Sequence, residues 1–263
     1  MKMQNQLLYR VSRRHLSTIN GGGGRKSDSE IPNLYSKIRQ LKPPVLSLTQ
    51  QELTTINLLI PRLCLSDQTP TALHLATSSL PLLPNTDPPV DPTKALSFSV
   101  LAHSLTSQPD MYPPMSLLTA LSHSEPSRPH LPRVGALLVS SYLRKARTLD
   151  ALKVYKWLAR RGYPLGRGVN GMLVMGLLEG GMVSDALRVV REMVVESGIR
   201  PGGGLRKRVY MGLLKEAVVH GAIELDKALL RLEFEEGDNE EDQKLVLKKV
   251  RDLLDDVIAQ LDG

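Results

Sequence analysis

The sequence predicts an all-α chain, a helix-turn-helix repeat solenoid with a C-terminal capping helix. Three observations lead there. Apolar residues recur at helical spacing in short segments, and no alternating strand pattern of useful length appears. Proline and glycine divide the second half into paired segments. The dipeptide Ala-Leu returns near the start of the second segment of each pair, at Ala151-Leu152, Ala186-Leu187 and Ala228-Leu229. The first interval is 35 residues and the next 42, with Gly202–Gly204 read as the insertion that makes the difference. A period in the mid-thirties with two helices per unit indicates an array, because such short helices bury their apolar stripes only against neighbours.

The elements follow in order. Residues 1–30 read as an organellar transit peptide. Lys2, Arg10, Arg13, Arg14, Arg25 and Lys26 precede the first acid, Asp28, and Leu7, Leu8, Val11 and Leu16 mark one face of a short helix. The richness in Arg over Ser favours a mitochondrion, with a chloroplast as the alternative. Residues 31–132 form a degenerate helical region with room for one or two divergent repeats. Its helices are expected at about 50–64, where Pro61 should kink or shorten the helix, and at about 70–80, 94–106 and 113–123. The prolines between Pro81 and Pro92 mark a loop. Residues 133–234 read as three hairpins: 134–145 with 149–161, 168–180 with 183–197, and 205–219 with 223–234. Residues 235–263 comprise an acidic tether, Glu235–Asp242, and a helix at 244–262. In that helix Leu247, Val250, Leu254, Val257 and Leu261 form a stripe wide enough to cap the array, with Asp252, Asp255 and Asp256 outside.

Composition narrows the function. Aromatic residues are 4% of the chain, which suits Leu-, Val- and Ala-filled helical layers. No run of eighteen apolar residues spans a bilayer, so no membrane partner is expected. Cys64, the single cysteine, is expected to be buried beside Leu63 and Leu65. The six histidines lack ligand spacing, so no metal and no cofactor is expected, and no nucleophile or acid–base constellation suggests an enzyme. Gly166–Gly171 matches a dinucleotide fingerprint in letters alone, without the preceding strand that the mechanism needs. Charge is uneven. Residues 133–216 hold sixteen Lys/Arg against six Asp/Glu, whereas residues 234–263 hold four against ten. A basic middle is the footprint of a phosphate-bearing partner.

The segment Gly181-Met182-Val183-Ser184-Asp185-Ala186-Leu187, with Glu192-Met193 and Gly198-Ile199-Arg200-Pro201, resembles the pentatricopeptide repeat family. Leu149-Asp150-Ala151-Leu152, Trp157-Leu158 and Gly162-Tyr163-Pro164 form a second copy, and Gly221 to Leu229 a weaker third. The short array is similar to the small plant organellar members that include the thylakoid-assembly type. The resemblance implies organellar RNA as partner and a role in RNA maturation, group II intron splicing above all, alongside other splicing factors. The alternative is a protein–protein scaffold or an organellar ribosome-associated component. Candidate phosphate contacts are Arg144, Lys145, Lys153, Lys156, Arg160, Arg161, Arg167, Arg206, Lys207 and Arg208, with Tyr155 and Trp157 among them as stacking surfaces. The family reads bases from the fourth or fifth position of each first helix. Gly171 stands there in the best unit, and Gly135 or Ala136 in the unit before, so base contacts fall to the nearby Asn170 and Ser140.

Overall fold

The computed structural model describes residues 47–83, 96–234 and 240–263. The expected transit peptide, most of the proline-rich loop and the first part of the tether lie outside them. Among the described residues there are eleven α-helices and no strand. They fall into two compact units.

The first unit contains residues 47–83, 96–105 and 116–130. Helix α1 (Gln50–Leu65) opens with a capping box: Thr49 Oγ1 accepts from the Glu52 amide, and the Glu52 carboxylate accepts from the Thr49 amide. It packs on α2 (Thr69–Ser79) and buries Leu53, Ile56, Ile60 and Leu63. Pro61 lies inside α1 without shortening it, so of the two effects expected there shortening does not occur. Proline has no N–H, so the Asn57 carbonyl loses its helical donor. Ser97 Oγ lies 3.2 Å from that carbonyl and supplies the missing hydrogen bond. Cys64, expected to be buried, is half-buried; burial pushes its thiol pKa up and a hydrogen bond with Ser104 opposes the shift. Helices α3 (Phe98–Ser107) and α4 (Tyr112–His123) each begin or end in this unit.

The second unit holds residues 106–115 and the described residues from 131 onward. It contains three hairpins: α5 (Leu131–Arg144) with α6 (Thr148–Ala159), α7 (Arg167–Glu179) with α8 (Val183–Arg191), and α9 (Gly203–Lys215) with α10 (Val219–Phe234). The first helices lie side by side, α5 on α7 and α7 on α9. One turn geometry joins the two helices of every hairpin. A left-handed residue ends the first helix: Ala146 (φ 55°), Gly181 (φ 71°) and Ala217 (φ 61°). The next amide closes the turn, Arg147 N to Tyr142 O, Met182 N to Leu177 O and Val218 N to Leu213 O, each at 2.9–3.0 Å. Asp67 (φ 58°) makes the same turn between α1 and α2.

This turn corrects the repeat register. Four residues beyond each closing amide sits a fully buried alanine, whose amide donates to that residue's carbonyl: Ala151, Ala186 and Ala222. The third alanine is therefore Ala222 and not Ala228, and the intervals are 35 and 36. Gly202–Gly204 is no insertion, since Gly202 caps α9 as Gly166 caps α7. The one extra residue lies in a π turn, Glu192–Glu196, that follows α8. At the exit of α6 the amide of Tyr163 reaches back five residues to Leu158; after the π turn that of Ile199 reaches back six, to Met193. Side-chain size then sets the spacing of the helices. A Cβ at Gly135 would come within 2.4 Å of Leu158 Cδ1, so α5 and α6 meet there with no room for a side chain.

Helix α11 (Glu240–Asp262) starts inside the expected tether, so Glu240, Glu241 and Asp242 belong to the helix. Val250, Leu254 and Val257 are buried, as the stripe predicts. The helix covers more than the last hairpin, for it packs on both α10 and α8. Its acids are not all on the outer face: Asp255 Oδ1 accepts from Arg191 Nε at 2.6 Å, and Asp262 accepts from Arg188 and Ser184.

Candidate nucleic-acid interface

Positions of α5, α7 and α9 that are equivalent by the shared hairpin turn face outward. They are Arg133, Leu137, Ser140 and Arg144 in α5; Gly168, Met172, Met175 and Glu179 in α7; and Gly204, Arg208, Met211 and Lys215 in α9, where Lys207 is also exposed. This strip carries five cations against one acid, Glu179. Its apolar part is unusual for a surface: Met172 and Met211 are each 46% exposed and Met175 36%. Glycine keeps part of it flat, and a Cβ at Gly171 would meet nothing within 4 Å.

The candidate phosphate contacts do not form one cluster. Arg144 and Lys145 end α5, while Arg160, Arg161 and Arg167 lie at the far end of α6 and beyond it. Helix α6 has twelve residues, so the two groups stand about 18 Å apart along its axis. Several are already engaged. Lys145 Nζ donates to Thr106 Oγ1 at 2.9 Å and Ser107 Oγ at 2.6 Å; burial, with Arg147 and Arg144 beside it, lowers its pKa. Lys156 pairs with Asp185 at 2.9 Å and Lys153 with Asp150 at 3.2 Å. Arg161 lies over the Trp157 ring, 3.8 Å from its centroid, leaving Trp157 half-buried beneath a cation.

Arg206 occupies the repeat position of Gly135 and Asn170, which faces inward. It pairs with Asp226 at 2.8 Å and lies 3.8 Å from Glu233, and its side chain is 20% exposed. Glu233 also caps α9 by accepting from the Gly203 amide. Among the described residues, Arg144, Arg160, Arg167, Lys207 and Arg208 have no acidic partner within 4 Å.

The base-contact candidates separate too. Ser140 lies half-exposed on the outward strip, at the position of Met175 and Met211. Asn170 is buried, and its Nδ2 donates to the Leu165 carbonyl at 3.0 Å; it does not reach the strip. Tyr155 is also buried, so it offers no stacking face. Burial first, then the charge of Glu192, pushes its pKa far up. Sequence reasoning missed Lys215 and the three methionines, which the corrected register of 35 and 36 residues would have aligned with Arg144, Leu137 and Ser140. It also missed Arg147, which is structural. Its guanidinium donates to the carbonyls of Thr106, Gln108 and Pro109, pairs with Asp150 at 2.6 Å and lies over the Tyr142 ring.

No group of metal-binding side chains occurs among the described residues. No helix among them is long and apolar enough to cross a membrane. Comparison with family models and with curated proteins finds no match, and the pentatricopeptide resemblance rests on the residues quoted above.

Proposed function

We propose that the chain is an organellar RNA-binding protein of the pentatricopeptide kind, a helix-turn-helix solenoid that holds RNA during maturation, with group II intron splicing as the step. The observation that carries this reading is the outward strip of α5, α7 and α9. The exposed faces of α5 and α9 present Arg144, Lys207 and Arg208 without an acidic partner among the described residues, and α7 between them presents Met172 and Met175. Phosphates favour such a surface through counterion release. Glycine at the base-reading position of α7, Gly171, supports binding through the phosphate backbone over reading of sequence. The test is titration of the full chain with single-stranded RNA over a range of salt. Arg144→Ala, Lys207→Ala and Arg208→Ala together should weaken binding and lower the log–log salt slope by up to ~2, at ~0.7 per lost phosphate contact. An unchanged slope would overturn the assignment of this strip.

A second reading, a protein scaffold or ribosome-associated component, is favoured by the exposed methionines. Such side chains adapt to apolar partners. Crosslinking in organelles that recovers protein and no RNA would decide for it.

A further inference from the structure

A cavity of about 550 Å³ opens in the second unit, away from the outward strip. It lies between the end of α6, the loop from Gly162 to Leu165, the first turn of α7 and the π turn after α8. π turns are frequent at functional sites, and here Glu192 and Glu196 of the π turn after α8, with Ser197 beyond it, line the cavity.

Two acceptors stand at this cavity with no donor. Asn170 is 1% exposed and spends its Nδ2 on the Leu165 carbonyl, so its Oδ1 is buried without a partner. Glu192 Oε2 is likewise buried and unpartnered. Native proteins rarely leave such atoms unfilled. Around them the cavity offers the half-exposed ring of Tyr163 and the exposed guanidinium of Arg160, which has no acidic partner among the described residues.

The chemistry is selective. A ligand that carries two donors would satisfy both acceptors. Arg160 calls for an anion, and Tyr163 for a planar ring. Guanine is the common nucleobase with two adjacent donors on one edge, its N1–H and its amino group; adenine and cytosine offer only the amino group there. We propose that this cavity takes a guanine nucleotide, with the base donating to Glu192 and Asn170, the ring against Tyr163 and the phosphate on Arg160. Both acceptors are closed to water as they stand, so the base meets them through a turn of the two side chains. The nucleotide comes either free or as a guanosine in an RNA strand. The proposal does not rest on the outward strip.

Equilibrium dialysis of the full chain against GMP, AMP, guanosine and a guanosine-bearing oligoribonucleotide tests it. GMP should bind saturably, at least tenfold more tightly than AMP. Glu192→Gln, which presents an amide where the base needs a carboxylate, should weaken GMP tenfold or more with an unchanged melting curve. Arg160→Gln is an exposed change that leaves folding intact, and should weaken GMP while leaving guanosine unaffected. GMP bound without the oligonucleotide assigns a free nucleotide, and the oligonucleotide bound much more tightly than GMP assigns an RNA guanosine. Equal affinity for GMP and AMP, no saturable binding of either guanine probe, or full GMP affinity in Glu192→Gln would overturn the proposal. The Arg144, Lys207 and Arg208 triple variant should keep its GMP affinity, which separates a failure here from a failure of the RNA strip.

Discussion

The repeated hairpin turn makes a prediction that works in opposite directions at equivalent positions. Ala146, Gly181 and Ala217 all hold φ between 55° and 71°. An L-residue pays about 1–2 kcal/mol there, because its Cβ crowds the following carbonyl, whereas glycine does not. Glycine's freer unfolded chain returns part of the gain, about 0.4–1 kcal/mol. The net for Ala146→Gly or Ala217→Gly is therefore stabilisation of roughly 0.5–1 kcal/mol each. Gly181→Ala should cost a similar amount; a Cβ there meets no atom within 4 Å, so the loss would be conformational and not steric. In a unit of this size each kcal/mol moves Tm by roughly 2–4 °C. The double variant Ala146→Gly with Ala217→Gly should then melt roughly 2–8 °C higher, and Gly181→Ala a few degrees lower. Thermal melts and urea titrations, followed by circular dichroism, read both directions. A fall in Tm for either alanine-to-glycine change, or a neutral Gly181→Ala, would show that these turns are not equivalent and would dissolve the 35- and 36-residue register.

Three further outcomes follow. Ala186→Arg should destabilise by ~3 kcal/mol or more, since the position is fully buried in the hairpin and the charge would have no partner; an unchanged melting curve would refute this. Tyr142→Phe should be neutral or stabilising by up to ~1 kcal/mol, because the Tyr142 hydroxyl is buried without a partner and burial pushes its pKa up to about 12; a loss above that in a urea titration would mean the hydroxyl has a partner. For Asp150, burial raises the carboxyl pKa, but hydrogen bonds from Arg147 and Lys153 and their charges outweigh it, leaving the pKa lowered. Its contribution to stability is therefore present above the unfolded carboxylate value and is lost as pH falls through the folded one, so Asp150→Asn should flatten the acid limb of a stability–pH curve; an unchanged limb would refute this.

What the sequence by itself determined about this protein is the all-helical class, the hairpin pairing and the apolar faces. Those follow from periodicities that each helix carries alone: Ala151 and Ala186, and the stripe Val250, Leu254 and Val257, are buried as their spacing requires. Tertiary structure decided the rest. Ala222 replaces Ala228 because backbone turn geometry, and not the Ala-Leu letters, sets equivalence. Pro61 is tolerated because Ser97, 36 residues later, supplies the donor that proline removes. Among the cations, identity says nothing of commitment. Arg206 is drawn inward by Asp226 and Glu233, and Arg147 is fixed by three carbonyls of the segment at 106–109, while Arg208 and Lys215 stay open to solvent. Asn170 turned inward for the same reason: its helix position faces the hairpin interior. Whether a charged or polar side chain faces solvent depends on partners far away in the chain, and spacing along one helix holds no record of them.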